Sequence, residues 1–184
     1  AKTWNFKIRQ GVEFHNGKSL TAEDVVDSLN HHLGEESKSA AKGQLGAVTS
    51  VKADGKYGVV VELSGGDADF PFILTDYHLL ICPSNGDGTI DWQSGTGTGG
   101  FTLVEHEPGV RTLTKANPNY WKPNRRFFDE VETLQIADSA AREAALRTGE
   151  LDAMNNVSAK TADLLKRQPG IVVDASKGNK QSTP

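Results

Sequence analysis

The stretch Ser94-Gly95-Thr96-Gly97-Thr98-Gly99-Gly100-Phe101 places Gly95, Gly97 and Gly100 on the spacing G-x-G-x-x-G. In a dinucleotide-binding fold such a run follows a buried strand and opens a helix whose N-terminus faces the pyrophosphate. Neither neighbour fits that pattern. Upstream stands Asp91-Trp-Gln-Ser94, which is not a β-branched run, and downstream Phe101 to Glu107 alternates as a strand does. No Gly-Lys-Ser/Thr comes after it, so the P-loop reading fails as well. With 19 glycines in the chain, such a spacing arises readily by chance. A small α/β enzyme holding a nucleotide cofactor on the Gly95–Gly100 loop is therefore the alternative reading, and no cofactor is expected.

The segment around this loop, Ser84 to Gly100, is dominated by Gly, Thr, Ser and Asp and marks a domain crossing, which divides the chain into 1–90 and 91–184. Before it, Trp4, Phe6 and Ile8 alternate with polar neighbours and predict a half-buried strand over Thr3 to Arg9. Asn16-Gly17 signals a tight turn. Thr21-Ala-Glu-Asp24 reads as a capping box opening a helix with Val25, Val26, Leu29 and Leu33 on one face, ended by Gly34. Residues 35–46 read as a loop with a short helix. Val48–Ala53 and Tyr57–Leu63 read as a hairpin turning at Asp54-Gly55. A short helix is predicted over Phe70–Tyr77 and a short buried strand over Leu79–Cys82.

Beyond the crossing, Phe101–Glu105 and Arg111–Lys115 read as paired strands, Asn117-Pro-Asn-Tyr-Trp121 as a turn, and Asp129–Ile136 as a further strand. Asp138 or Ser139 caps a helix ended by Gly149. Leu151–Met154 and Ile171–Asp174 are predicted strands on either side of a helix over Ser158–Gln168. The fold class is mixed α/β.

Composition sets the outer bounds. The 184 residues are 36% hydrophobic and 24% charged with a net charge of −4, and basic and acidic residues are mixed along the chain. No basic stripe points to nucleic acid and no basic amphipathic helix to a membrane surface. The longest apolar stretch, Phe70 to Pro83, is broken by Asp76 and His78 and is too short to span a bilayer. No segment reads as a signal peptide. The lone cysteine, Cys82, is read as a small buried hydrophobe, and no Cys/His cluster has zinc-ligand spacing. The start at Ala1 without Met and the polar run Lys177 to Pro184 suggest a piece of a longer protein.

Four motifs in order then resemble one family, the extracellular solute-binding proteins that serve peptide and nickel ABC transporters. WNFKIRQGVEFHNGKSLTAEDVV (Trp4 to Val26) is similar to its W-x-F-x-L-R-x-G-V-x-F-H-D-G-x-x-(L/F)-x-A-x-D-V signature. Gly97-Thr98-Gly99-Gly100-Phe101 resembles its G-T-G-P-(F/Y), with Gly100 where proline is usual. Asn117-Pro-Asn-Tyr-Trp121 resembles N-P-x-Y-W, and Leu146-Arg-Thr-Gly149-Glu150-Leu-Asp152 resembles L-x-x-G-E-x-D.

The resemblance implies part of a two-lobed periplasmic-binding-protein-like fold: an inserted α/β domain over 1–90 and the central part of the first lobe over 91–184, truncated before the second lobe. It implies a binding protein and not an enzyme. Its partners would be a peptide or small-molecule ligand and the membrane permease of an ABC transporter. It would be a monomer, periplasmic or extracellular, and membrane-associated if lipid-anchored. The acidic residue that pairs with a peptide's amino terminus would lie in the missing lobe, so the chain alone is expected to bind weakly or not at all.

The ligand-binding candidates are Asp76, Tyr77, His78, Trp92 and Thr98. The first three interrupt an apolar run, which is unfavourable unless they reach a partner or a cleft; the resemblance puts them near the ligand, and a structural role stands beside that. Trp92 lies in the crossing loop and offers an aromatic wall, with core packing as its other reading. Thr98 lies within the motif Gly97–Phe101. His31 and His32 are adjacent and point about 100° apart on a helix, so solvated positions near its C-terminal dipole are expected, not a metal site. His15 is expected to make a structural hydrogen bond in its turn.

Overall fold

The alternation of Trp4 and Phe6 forms strand β1 (Thr3–Lys7) in a computed structural model that describes residues 1–125 and 127–175. The polar run from Lys177 to Pro184 lies outside the described residues. β1 pairs antiparallel with β3 (Gly58–Leu63), which pairs antiparallel with β2 (Val48–Asp54), so the first sheet has the order β1-β3-β2. The register sets Trp4 opposite Val61, Phe6 opposite Val59, and Val51 opposite Val61. Val59 and Val61 are therefore buried in the centre of the sheet while Glu62 points out. This is the two-residue period of a half-buried sheet.

Helix α1 (Ala22–Leu33) lies on β2 and β3. Ala22 and Leu29 are buried, with Val25, Val26 and Leu33 packed alongside. A short 3₁₀ turn (Ala40–Gly43) brings in Ala41 and Leu45, and the one-turn helix α2 (Phe70–Ile73) inserts Phe70 between Trp4 and Phe6. The hairpin turn between β2 and β3 is tight. A Cβ on Gly58 would stand 2.4 Å from the Asp54 carbonyl oxygen. Gly58→Ala is therefore expected to destabilise by about 1–3 kcal/mol, read as a lower denaturant midpoint, because the backbone on both sides is pinned by the ladder.

β4 (Phe101–Glu107), β5 (Arg111–Ala116) and β6 (Glu130–Leu134) form a second sheet in that order. β4 and β5 run antiparallel with a register shift between Leu103 and Glu105. The Arg111 guanidinium on the middle strand binds Glu105 on one side and Glu132 on the other, which cross-ties all three strands. Leu103, Val104 and Val110 are exposed on this sheet.

The described residues divide into two compact units, Ala1–Thr133 and a second beginning at Leu134. In the second, α3 (Ser139–Thr148) starts where the Asp138 carboxylate accepts the Ala141 N–H at 2.7 Å. It ends at Gly149, whose φ of 78° suits a residue without Cβ. Buried Glu143 accepts from the Thr161 hydroxyl, and α4 (Ala162–Leu165) buries Leu165. No helix among the described residues is long and apolar enough to cross a membrane.

Several expected elements are shorter or absent. The helix expected over Phe70–Tyr77 stops at Ile73, where Asp76 takes up a turn. The helix expected over Ser158–Gln168 keeps one turn. Its ends are held by i→i+3 bonds such as Thr161 N–H to the Ser158 carbonyl and Gln168 N–H to the Leu165 carbonyl. Leu79–Cys82 is not a strand: the Cys82 N–H donates to the Ser28 hydroxyl, and that hydroxyl donates back to the Cys82 carbonyl. Helix α1, not a ladder, satisfies that backbone. Leu151–Met154 and Ile171–Asp174 are also not strands, since neither finds a ladder partner among the described residues.

Candidate functional site

Asp76, Tyr77 and His78 form one cluster in the turn after α2. The Asp76 carboxylate accepts the His78 backbone N–H at 2.9 Å, the Gln44 amide at 2.9 Å, and lies 2.8 Å from His78 Nδ1. The His78 N–H, then the Gln44 amide and the His78 ring, hold this carboxyl below its ordinary range. Tyr77 is half exposed with its ring 3.9 Å from that of His78, centre to centre. His32 lies nearby with Nδ1 2.6 Å from the Ser39 hydroxyl. Burial, then the neighbouring His31 and His78, lower its affinity for a proton. Despite three histidines in this region, no group of three His, Cys, Asp or Glu side chains among the described residues is arranged to hold a metal ion.

Trp92 comes from the crossing segment. It is 60% exposed and walls an open concavity of about 780 Å³ at the C-terminal end of α1, with His31, Gly34, Glu35 and Lys38. Thr98 is half-buried in the glycine segment. Among the five candidates, Asp76, Tyr77 and His78 are joined by direct contacts, and all five lie in the Ala1–Thr133 unit.

The glycine segment does not bind phosphate in the way its spacing suggests. It leads into β4 and not into a helix, and its Gly97 N–H already donates to His15 Nδ1 at 3.2 Å. A smaller hollow of about 320 Å³ lies beside it, lined by His15, Ser94, Thr96 and Thr102. His15 is structural, as expected, but its hydrogen bonds go to the glycine segment and not within its own turn. Its backbone N–H donates to the Gly97 carbonyl at 2.9 Å, and its Nε2 lies 3.1 Å from the Gly99 carbonyl. Asn117, from the turn after β5, donates its side-chain N–H to the same Gly99 carbonyl at 2.9 Å.

Two groupings reach across the chain to partners that no local pattern indicates. The buried Asp24 carboxylate gathers the Lys18 ammonium, the Ser84 N–H at 2.8 Å and the Thr21 N–H at 2.8 Å, while the Ser84 hydroxyl donates to Asp27. Arg9 and Lys122 lie 4.6 and 4.7 Å from the Trp121 ring centre, a double cation–π contact. In the first, Thr21 and Lys18 are near in sequence, as the capping box indicates, and Ser84 is 60 positions on; in the second, Lys122 is next to its ring and Arg9 is distant.

Against known proteins, the family described as bacterial extracellular solute-binding proteins, family 5 Middle, matches residues 1–183. The oligopeptide-binding protein AppA of Bacillus subtilis is 28% identical over 162 residues, which is 83% of this chain and 30% of that protein. The structure of that AppA with a nonapeptide matches with a TM-score of 0.77, covering 90% of this chain and 34% of that one. The binding protein AgaA of A. tumefacien R10, solved with agropinic acid, is 27% identical with a TM-score of 0.79, covering 92% of this chain and 35% of that one. The chain spans 21%, 30% and 28% of the lengths of three curated relatives it matches. The fold is part of that of the two-lobed periplasmic binding proteins. With the family match running over residues 1–183, this chain belongs to the bacterial extracellular solute-binding proteins of family 5.

Proposed function

We propose that this chain is the middle portion of a receptor that captures a peptide or a related small solute and delivers it to the permease of an ABC transporter. The observation that carries this reading is the family match over residues 1–183 in a chain spanning under a third of the length of such relatives as AppA. Residues 1–90 form the inserted α/β domain and 91–184 the central part of the first lobe. A second lobe closes on the ligand, and the ligand's greater affinity for the closed state shifts the population towards it. Asp76, Tyr77, His78, Trp92 and Thr98 are the candidate ligand contacts. The receptor catalyses no reaction, acts as a monomer, and works in the periplasm or at the outer face of the membrane, with or without a lipid anchor.

AppA, solved with a nonapeptide, and AgaA, solved with agropinic acid, support a small polar solute as cargo. The test is calorimetric titration with a mixed nonapeptide pool of two samples: the polypeptide as the cell makes it, and this 184-residue chain alone. Saturable heat is expected from the first and none from the second. Micromolar binding by the chain alone overturns the need for a second lobe. If neither sample binds the peptide pool, nor agropinic acid titrated in the same way, the receptor reading falls.

A further inference from the structure

We propose that His15 is a positioning residue that clasps the Gly97 end of the glycine segment as the neutral ring with its hydrogen on Nε2, while Asn117 fixes Gly99–Gly100. The protonation state is dictated by the partners. A backbone N–H can only donate, so Nδ1, 3.2 Å from the Gly97 nitrogen, carries a lone pair. A carbonyl can only accept, so Nε2, 3.1 Å from the Gly99 oxygen, carries the hydrogen. Both contacts are met by one species, the neutral ring protonated on Nε2. An imidazolium has N–H on both nitrogens and would set one of them against the Gly97 N–H.

The two ends of the segment are held unequally. Gly99 and Gly100 have a second anchor in Asn117, whose side chain donates to the Gly99 carbonyl and whose N–H donates to the Gly100 carbonyl at 2.8 Å. Gly97 is held by His15 twice, its N–H by the ring Nδ1 and its carbonyl by the His15 backbone N–H, and the Thr96 N–H donates to the Ser94 hydroxyl at 3.2 Å. Losing the acceptor at Nδ1 therefore removes the one bond at Gly97 that depends on the ring, and Thr98 sits at the junction with the Asn117-held end.

The charged groups on the elements packed here are otherwise engaged. On the histidine's own turn, Lys18 binds Asp24 and the Ser84 carbonyl, and Glu13 faces the Asn119 amide at 3.5 Å. On the crossing segment, the Asp91 carboxylate accepts the Ser94 N–H at 3.2 Å. On β4 and β5, Glu105 is paired with Arg111, and Lys115 with Glu130. The His15 ring makes its hydrogen bonds to backbone groups alone among the described residues.

The clasp stands on geometry alone; its bearing on ligand capture rests on the receptor reading, through Thr98. The test reads the clasp directly, by amide hydrogen exchange of the wild-type chain and two variants. Protection of the Gly97 amide, corrected for intrinsic rates, is expected to fall about tenfold in His15→Phe, the effect of one hydrogen bond, while the Asn117 amide is unchanged. In His15→Asn, whose amide oxygen accepts where Nδ1 did, Gly97 protection is expected to persist. Protection at Gly97 that survives in His15→Phe, or is lost in His15→Asn, overturns the proposal. Should a variant fail to fold, ring nitrogen NMR shifts of the wild type decide: hydrogen on Nε2 at about pH 8 supports the clasp, and hydrogen on Nδ1 refutes it. Failure of the receptor reading would show in the peptide titration and leave these readouts untouched.

Discussion

Phe70→Ala is expected to destabilise the Ala1–Thr133 unit by about 3–5 kcal/mol, the range for emptying a fully buried aromatic site. Phe70 is 1% exposed, and its ring centre lies 6.5 Å from that of Trp4 and 6.4 Å from that of Phe6. It is carried on a single helical turn, so the deletion would also detach α2 from the sheet. The matched control is two residues along. Phe72→Ala removes a side chain that is 73% exposed and should change stability by no more than about 0.5 kcal/mol. Urea denaturation followed by near-UV circular dichroism reads both. A loss below about 1 kcal/mol for Phe70→Ala would mean that the aromatic trio is not the centre of this core.

That pair also shows where sequence reading stops. Phe70 and Phe72 stand in one apolar run, Phe-Pro-Phe-Ile, and nothing local separates the buried ring from the exposed one. Elements whose signals are local were legible: the alternation of β1 and β3, the Asp54-Gly55 hairpin, the start of α1 at Thr21, and the Asp138 cap and Gly149 stop of α3. Elements that need a neighbour were not. Leu79–Cys82 has a strand's composition, but its two ends are bonded elsewhere, the Leu79 N–H to the Asp76 carbonyl and Cys82 to the Ser28 hydroxyl of α1. Leu151–Met154 and Ile171–Asp174 have β-branched or apolar residues and no strand beside them among the described residues.

The glycine spacing misleads for the same kind of reason. The role of a glycine run depends on the element it leads into, and here that element is the strand β4. The partner of the run, His15, lies 82 residues before Gly97, a separation no local pattern bridges. The candidate contacts were legible to the same limited degree. Asp76, Tyr77 and His78 do gather, because they adjoin in a turn, whereas the surroundings of Trp92, the end of α1, come from residues more than 50 positions before it.

Asp24→Ala is expected to destabilise the same unit by about 2–4 kcal/mol, with a loss that depends on pH. Asp24 is fully buried and closes the start of α1, its carboxylate accepting the N–H and hydroxyl of Thr21. Losing such a cap interaction is worth about 0.5–2 kcal/mol. The same carboxylate accepts the Ser84 N–H, which would be left buried without a partner at about 1–3 kcal/mol. These terms overlap because they share one group. Lys18, being partly exposed, would find water and add little.

Burial by itself raises the Asp24 pKa, but the Lys18 ammonium, the Ser84 N–H and Thr21 together outweigh it, so the folded-state value is depressed. A carboxyl with a depressed folded value contributes stability that is present above its unfolded value, near about 3.9, and is lost as pH falls through the folded one. Wild type and Asp24→Ala should therefore differ by a constant amount from about pH 5 to about pH 7, and converge below about pH 4. Asp24→Asn, which keeps the volume and one acceptor, should fall between them at neutral pH. Urea midpoints across that range decide the matter. A gap that persists undiminished at the acid end would show that Asp24 acts through shape and packing, and not through its charge.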